Sequence, residues 1–181
     1  AFSWGTCQFD HINGNQNEAI YCEYEDDIFS IDHSKRRQTF TQVKCYASDF
    51  NLQDKAVKES LIHFYDLYLQ YKGQGNNLTF EFEANGNFNE GGTSDGAKLL
   101  TRWVKETSQG KLADDTVNEI KAHLEELFID FIQERLKNYK KNCSDQDYQL
   151  AKRATRNITD QIEDNEFKTF IQQVKWAFHD Q

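Results

Sequence analysis

Two groups of polar residues have types and a spacing that suit cleavage of a phosphodiester bond. The first is the acidic run from Glu23 to Asp27 in CEYEDDIF, and the second is Gln42-Val43-Lys44 in TFTQVK. Because alternate residues of a strand face the same way, Gln42 and Lys44 are predicted to project together, whereas Val43 is predicted to face the core. If the two segments pair as neighbouring strands, Asp27, Gln42 and Lys44 converge at one edge of a sheet.

An aspartate, a glutamine amide and a lysine around one point suit metal-dependent hydrolysis. A hard cation such as Mg²⁺ takes oxygen ligands and needs one or two carboxylates while it keeps several waters. Asp27 supplies a carboxylate, Gln42 an amide oxygen, and Glu23 or Glu25 a second carboxylate. The cation would lower the pKa of a bound water and offset the charge that develops on the phosphate. Lys44 would position or help deprotonate that water, or stabilise the oxygens of the transition state.

The hydrophobic pattern predicts the elements that carry these residues. Segments rich in β-branched and aromatic residues predict strands at 19–24, 27–31, 38–47 and 78–83, with a charged turn at 32–37. Apolar residues three and four positions apart predict helices at 52–72, 97–106 and 114–141, and a final helical region through 145–178. The segment 1–12 is ambiguous and compatible with the tail of a helix. The order predicts an α/β fold in one domain, with a core at 1–110 and a helical extension at 111–181 packed on it.

The order and spacing of the motifs resemble the PD-(D/E)xK, or restriction-endonuclease-like, superfamily in its Q-x-K variant. More narrowly, YCEYEDDIF followed by TFTQVK resembles the double-stranded-DNA endonuclease domain of bacterial antiphage effectors, including those associated with CD-NTase signalling enzymes. Members place an E-x-x-D-D-like run on one strand and Q-V-K on the next, followed by a helix and an apolar strand that ends in a Thr/Ala-Asn pair. The likeness covers roughly residues 18–90 and ends in FEFEAN, Phe80 to Asn85.

This resemblance implies a mixed sheet core flanked by helices and hydrolysis of DNA backbones in antiviral defence. It implies that Asp27, Gln42 and Lys44 are the catalytic core with Glu23 as a helper, and that Asp27, Gln42 and Glu23 bind Mg²⁺ or Mn²⁺. The partners that it implies are DNA, further copies of the chain, and a sensor or ATPase domain.

The charge of the chain restricts how it would bind DNA. A net charge of -9 argues against non-specific binding over a whole face, but a local basic cleft remains compatible with it. We therefore expect a local phosphate-facing patch, formed by Lys35, Arg36, Arg37, Lys55 and Lys58.

Three further features bear on the class of protein. The four cysteines have no zinc-site spacing, no apolar run is long enough for a membrane span, and a reducing, cytoplasmic location is expected. His63 and His123 lie in predicted helices and are expected to be structural. The run KNYKK, Lys137 to Lys141, is expected to be a solvated helix end, with phosphate contact as the alternative.

Two other functions fit the same residues. A domain of the nuclease fold without catalysis would act as an interaction or assembly module, with its long helices as the partner surface. The second is a helical scaffold in which Gln42 and Lys44 are incidental polar residues of a surface strand.

Overall fold

A mixed sheet with helices confirms the α/β class. A computed structural model of the chain describes residues 7–9, 18–23, 27–44, 50–85, 91–159 and 164–178. In chain order its elements are β1 (Cys7–Phe9), β2 (Glu18–Glu23), β3 (Asp27–Asp32), β4 (Arg37–Lys44), α1 (Lys55–Tyr71), β5 (Asn77–Ala84), α2 (Asp95–Ser108), α3 (Asp114–Asn142), α4 (Asp145–Thr159), α5 (Asp164–Gln173) and β6 (Val174–Phe178).

The six strands lie in the sheet in the order in which they follow along the chain. From β1 to β4, each strand pairs antiparallel with the next, whereas β4, β5 and β6 run parallel. A parallel pair needs a crossover connection, and α1 provides it between β4 and β5. The apolar stripe predicted for this helix is buried, since Val57, Leu61, Phe64, Tyr65 and Tyr68 all belong to the core.

The turn between β3 and β4 is stabilised by the carboxylate of Asp32, the last residue of β3. Oδ1 of Asp32 accepts hydrogen bonds from Ser34 Oγ at 2.6 Å and from the Lys35 backbone N–H at 3.0 Å. Arg36 adopts a φ of 48°, a left-handed conformation that is uncommon outside glycine and that closes the turn here. The charged turn expected at 32–37 is therefore confirmed, with turn residues 33–36.

The side of β4 that faces the core is the opposite of the one expected. Gln38, Phe40 and Gln42 are buried on the side of β4 that carries the core, whereas Val43 is only half-buried on the other side. The prediction for Val43 is wrong because Phe40 sets the phase of the strand: its ring lies 4.7 Å from that of Phe29 and 5.6 Å from that of Phe80.

The carboxyl-terminal segment returns to the sheet, so the prediction of helix through residue 178 is wrong. After α4 and α5, β6 pairs in parallel with β5, with Val174 opposite Phe80. Val174 continues the spacing of the buried residues Phe170 and Ile171, so helical periodicity alone does not mark where α5 ends. The sequence VKWAF contains one β-branched and two aromatic residues, which favour a strand, and it forms the strand that pairs with β5.

The amino-terminal prediction needs the same kind of correction. Cys7–Phe9 is a strand that pairs with β2, not the tail of a helix. Three residues are too few to show a period in the sequence, so only their pairing with β2 defines them as a strand. The remaining residues of 1–12 lie outside the described part of the chain.

One hydrophobic core joins the sheet to α1, α2, α3 and α5. Tyr65 of α1 shows this, because its ring lies 6.0 Å from Phe128 of α3 and 4.8 Å and 5.1 Å from Phe167 and Phe170 of α5. The region 111–181 is therefore not only a helical extension packed on the core, since its residues build the core and supply a strand.

None of the helices in the described ranges is both long enough and apolar enough to cross a bilayer.

Candidate functional site

The pairing of β2, β3 and β4 aligns three of the four predicted site residues. Asp27 is the Cα partner of Glu23 on one side and of Gln42 on the other. Glu23 ends β2, Asp27 begins β3, and Lys44 ends β4 two residues after Gln42. All four positions therefore lie at or near the strand ends on one side of the sheet, and we call this end of the sheet the site edge. The side chains of Glu23 and Asp27, and all of Glu25, lie outside what the structure describes.

Gln42 is fixed by a hydrogen bond to α1. Its side chain is 7% exposed, and its Oε1 accepts from Ser60 Oγ at 3.1 Å. Ser60 is itself buried, three residues after Val57 on the helix face that packs on the sheet. An amide oxygen has two lone pairs, so this bond leaves one for another partner.

Lys44 lies where β4 and β5 end together. It is half-buried, shares the face of Gln42, and is the Cα partner of Ala84. The backbone N–H of Asn85 donates to the Lys44 carbonyl oxygen at 3.4 Å. The Ala-Asn pair at the end of the apolar strand therefore lies beside the lysine.

A cleft of about 140 Å³ opens beside Gln42, between α1 and the strands β3 and β4. Its walls are mainly apolar and aromatic, and its polar groups include Gln42 and the exposed residue His63. Further wall residues are Phe29, Phe40, Leu67 and Tyr71.

The five basic residues expected to form one DNA-binding patch lie at two opposite ends of the sheet. Lys55 and Lys58 belong to the first turn of α1, close to Ser60 and hence to the site edge. The other three, Lys35, Arg36 and Arg37, lie in the β3–β4 turn or directly after it. With about 3.3 Å per residue, β4 separates that turn from Lys44 by about 25 Å.

The expectation of a single patch is therefore wrong, because the turn between two antiparallel strands lies at the end opposite to the site edge. Lys35 is also engaged there, with its Nζ 3.1 Å from Asp32. The Ser34 hydroxyl, opposed by desolvation and assisted by Lys35, holds the pKa of Asp32 well below its usual range. This aspartate thus keeps its negative charge beside Lys35.

His123 makes a contact of the kind that the expected structural role requires. Its Nε2 lies 3.2 Å from Nε2 of Gln53, so it connects α3 to the segment that precedes α1. Burial lowers the pKa of His123, although the nearby carboxylates of Glu126 and Asp95 act in the opposite direction. The ring therefore favours its neutral form, in which one nitrogen accepts and the other donates.

Metal binding at the site edge stays a prediction. Among the side chains that the structure describes, no three from His, Cys, Asp or Glu are close enough to hold an ion together. This finding does not bear on Glu23 and Asp27, whose side chains are outside that set.

Ser60, the residue that holds Gln42, was not among the predicted site residues. A signal was present, because Ser60 occupies a position of the α1 stripe between Val57 and Leu61 where an apolar residue would pack. A small polar residue at such a position indicates a buried polar partner on the facing element.

Replacing Ser60 by alanine should lower the free energy of unfolding by about 1–3 kcal/mol, because it leaves the buried oxygen of Gln42 without its donor. Urea denaturation of the two proteins measures the difference. Ser108→Ala is the control, because that serine is exposed at the end of α2. Equal midpoints for Ser60→Ala and the unsubstituted protein would show that the bond to Gln42 contributes nothing.

No protein-family model matches the chain, and no curated protein or solved structure shows significant similarity to it. The function therefore has to be inferred from the residues of the site edge and their register. The likeness to the PD-(D/E)xK superfamily stays a prediction from short motifs.

Proposed function

We propose that the chain is a metal-dependent endonuclease that hydrolyses phosphodiester bonds of double-stranded DNA in antiviral defence. The observation that carries the proposal is the register of β2, β3 and β4, with Glu23, Asp27 and Gln42 as successive Cα partners. Lys44 ends β4 at the same edge. Two acidic residues, an amide and a lysine from three neighbouring strands thus share one edge of the sheet, which makes this edge a candidate active site.

The donor set at this edge fits a hard divalent cation. Glu23 and Asp27 offer carboxylates, and Gln42 offers an amide oxygen with one lone pair beyond its bond to Ser60. Oxygen ligands of this kind suit Mg²⁺, or Mn²⁺ in its place. When bound, the cation supplies Lewis-acid stabilisation of the phosphate charge and a more acidic water.

The residues of the chain would position the reacting groups. Lys44 would place its ammonium group on a phosphate oxygen and stabilise the charge that grows there. Attack by water would form a new P–O bond while the P–O bond to the leaving sugar oxygen breaks; one proton of the water would pass to solvent, and the leaving oxygen would take up a proton from solvent. Ser60 would act as a positioning residue, because it fixes the amide of Gln42.

The order of elements supports the finer proposal of a restriction-endonuclease-like fold. The acidic run spans the end of β2 and the start of β3, Q-V-K ends β4, α1 follows, and β5 ends in Ala84. The Q-V-K strand, the helix and the apolar strand follow in the order that the motif resemblance implies, whereas the acidic run is divided between two strands instead of lying on one. The assignment to antiviral defence rests on the narrower likeness to antiphage effectors.

A catalytically inactive domain of the same fold is the second candidate. The burial of Gln42 and its bond to Ser60 favour it, because they give the glutamine a role in packing α1 on the sheet. Such a domain would serve as an interaction or assembly module in a defence complex. Its partner would be a second copy of the chain, or a sensor or ATPase domain.

Incubation with supercoiled plasmid separates the two candidates. A nuclease converts the plasmid to nicked and linear forms with Mg²⁺ or Mn²⁺ and leaves it intact with EDTA. An intact plasmid with both metals, at a molar excess of protein, would contradict the nuclease. Size-exclusion chromatography with light scattering then examines the assembly module, and a monomer at all concentrations would count against self-assembly.

A further inference from the structure

Positive charge is concentrated at the end of α3 and along α4. We call residues 135–159 the α3–α4 hairpin, which contains the last two turns of α3, the connection and α4. It holds seven Lys or Arg residues and two Asp residues, whereas the whole chain carries a net charge of -9. One strongly basic element thus stands out from an otherwise acidic protein.

Five of the hairpin's cations are exposed and lack an ion pair among the residues whose side chains the structure describes. Within the described ranges, none of the exposed residues Lys137, Lys140, Lys141, Lys152 and Arg153 forms an ion pair. Several cations elsewhere in the chain have acidic partners, as in the pairs Lys72–Glu166, Arg102–Glu119 and Lys121–Glu125. The hairpin therefore keeps a positive local potential that attracts polyanions.

The hairpin lies away from the site edge. His123 contacts Gln53 just before α1, and Phe128 contacts Tyr65 in its second half. These contacts show that α3 runs in the direction of α1, from the site edge towards the end of the sheet that carries the β3–β4 turn. The last residues of α3 continue beyond Phe128 for about 20 Å, at 1.5 Å per residue.

We propose that the α3–α4 hairpin binds the phosphate backbone of a nucleic acid. Lys137, Lys140 and Lys141 follow the i, i+3, i+4 spacing that places residues on neighbouring positions of a helix surface. The partner is a polyanion with closely and regularly spaced charges, as a nucleic acid backbone is.

A membrane surface fits the hairpin less well. Basic helices that lie on membranes insert a continuous apolar face between the lipid headgroups. Among the hairpin side chains that the structure describes, the large exposed apolar ones are Tyr139 on α3 and Leu150 on α4, which lie on different helices. Among the described residues they form no continuous apolar stripe.

Binding of a 20-base-pair DNA duplex in EDTA tests the hairpin without any hydrolysis. Fluorescence anisotropy would compare the unsubstituted chain with Lys137→Gln/Lys140→Gln/Lys141→Gln across a range of salt concentrations. We expect about tenfold weaker binding at low salt for this variant, and a slope of log K against log salt that is smaller by about 2 to 3, since each phosphate contact contributes about 0.9. The matched control is Lys98→Gln/Lys105→Gln/Lys111→Gln, which removes the same charge from exposed positions of α2 and the segment after it.

Each outcome decides the proposal. A loss confined to the hairpin variant, with an unchanged thermal midpoint, supports it. Equal losses in the two triple variants, or no binding by the unsubstituted chain at low salt, overturn it. Tighter binding to vesicles with anionic phospholipid than to the duplex would also overturn it and would identify a membrane surface as the partner. The test is independent of the proposed nuclease, because binding in EDTA needs neither a metal nor Lys44.

Discussion

Replacing Lys44 by alanine should lower the rate of Mg²⁺-dependent plasmid cleavage by about 100-fold or more. A single preorganised charge or proton-transfer group contributes about 10²–10⁴-fold to such reactions. Lys44 is the basic residue that β4 places at the site edge, on the face of Gln42 and opposite Ala84. Initial rates of supercoiled plasmid loss, measured at saturating DNA, report this step rather than DNA binding.

The control for this prediction is Lys111→Ala, which removes the same charge from an exposed position between α2 and α3. It should leave the cleavage rate within about twofold, because screening weakens a distant surface charge. Urea midpoints of both variants should match that of the unsubstituted protein. Undiminished cleavage by Lys44→Ala would remove this lysine from the chemistry.

Replacing Phe170 by alanine should lower the free energy of unfolding by about 3–5 kcal/mol. Its side chain is 0% exposed, and its ring contacts Tyr65, Tyr68 and Phe80 at 5.1, 5.8 and 5.6 Å. The loss combines the transfer of a large apolar side chain with the cavity that it leaves. It is a large fraction of the roughly 5–15 kcal/mol that stabilises an ordinary domain. Guanidinium denaturation, followed by circular dichroism and tryptophan fluorescence, measures it.

Tyr139→Ala is the matched control, because it deletes an aromatic side chain from an exposed position of α3. It should change the free energy of unfolding by less than about 1 kcal/mol. If Phe170→Ala cost no more than this control, the carboxyl-terminal helices would be an appendage to an independent core. A loss of several kcal/mol in a single transition by both probes would show that α5 and the sheet unfold together.

The middle of the chain could be predicted because its patterns are regular. The stripe of α1 repeats over about three turns, and LTFEFE alternates cleanly between Leu78 and Glu83, as its burial also does. Long periodic segments carry a strong local signal that tertiary contacts reinforce.

The ends of the sheet could not be predicted because their structure depends on contacts distant in sequence. β6 follows α5 without a break, and Val174 satisfies both the helical spacing and the parallel register with Phe80. β1 has three residues, which is too short for a period. The orientation of Val43 depended on Phe40, which fixes which residues of β4 face the core. A shift of one residue would exchange the two faces of the strand.

Position along the chain was a good guide to the site edge and a poor guide to the basic patch. Pairing of β3 with β4 as a β-hairpin is enough to bring Asp27 opposite Gln42, and the two strands do pair in this way. The same hairpin carries Lys35 and Arg37 to its other end. Ser60 was missed because its role depends on which strand its helix covers.

Diffraction from crystals soaked in Mn²⁺, with an anomalous difference map, tests most directly whether the aligned strands form a metal site. We predict one strong peak at the site edge, about 2 Å from a carboxylate oxygen of Asp27 and from the amide oxygen of Gln42. The peak should disappear in Asp27→Asn crystals. A map with no peak there, or an ion bound only elsewhere on the protein, would contradict the nuclease mechanism.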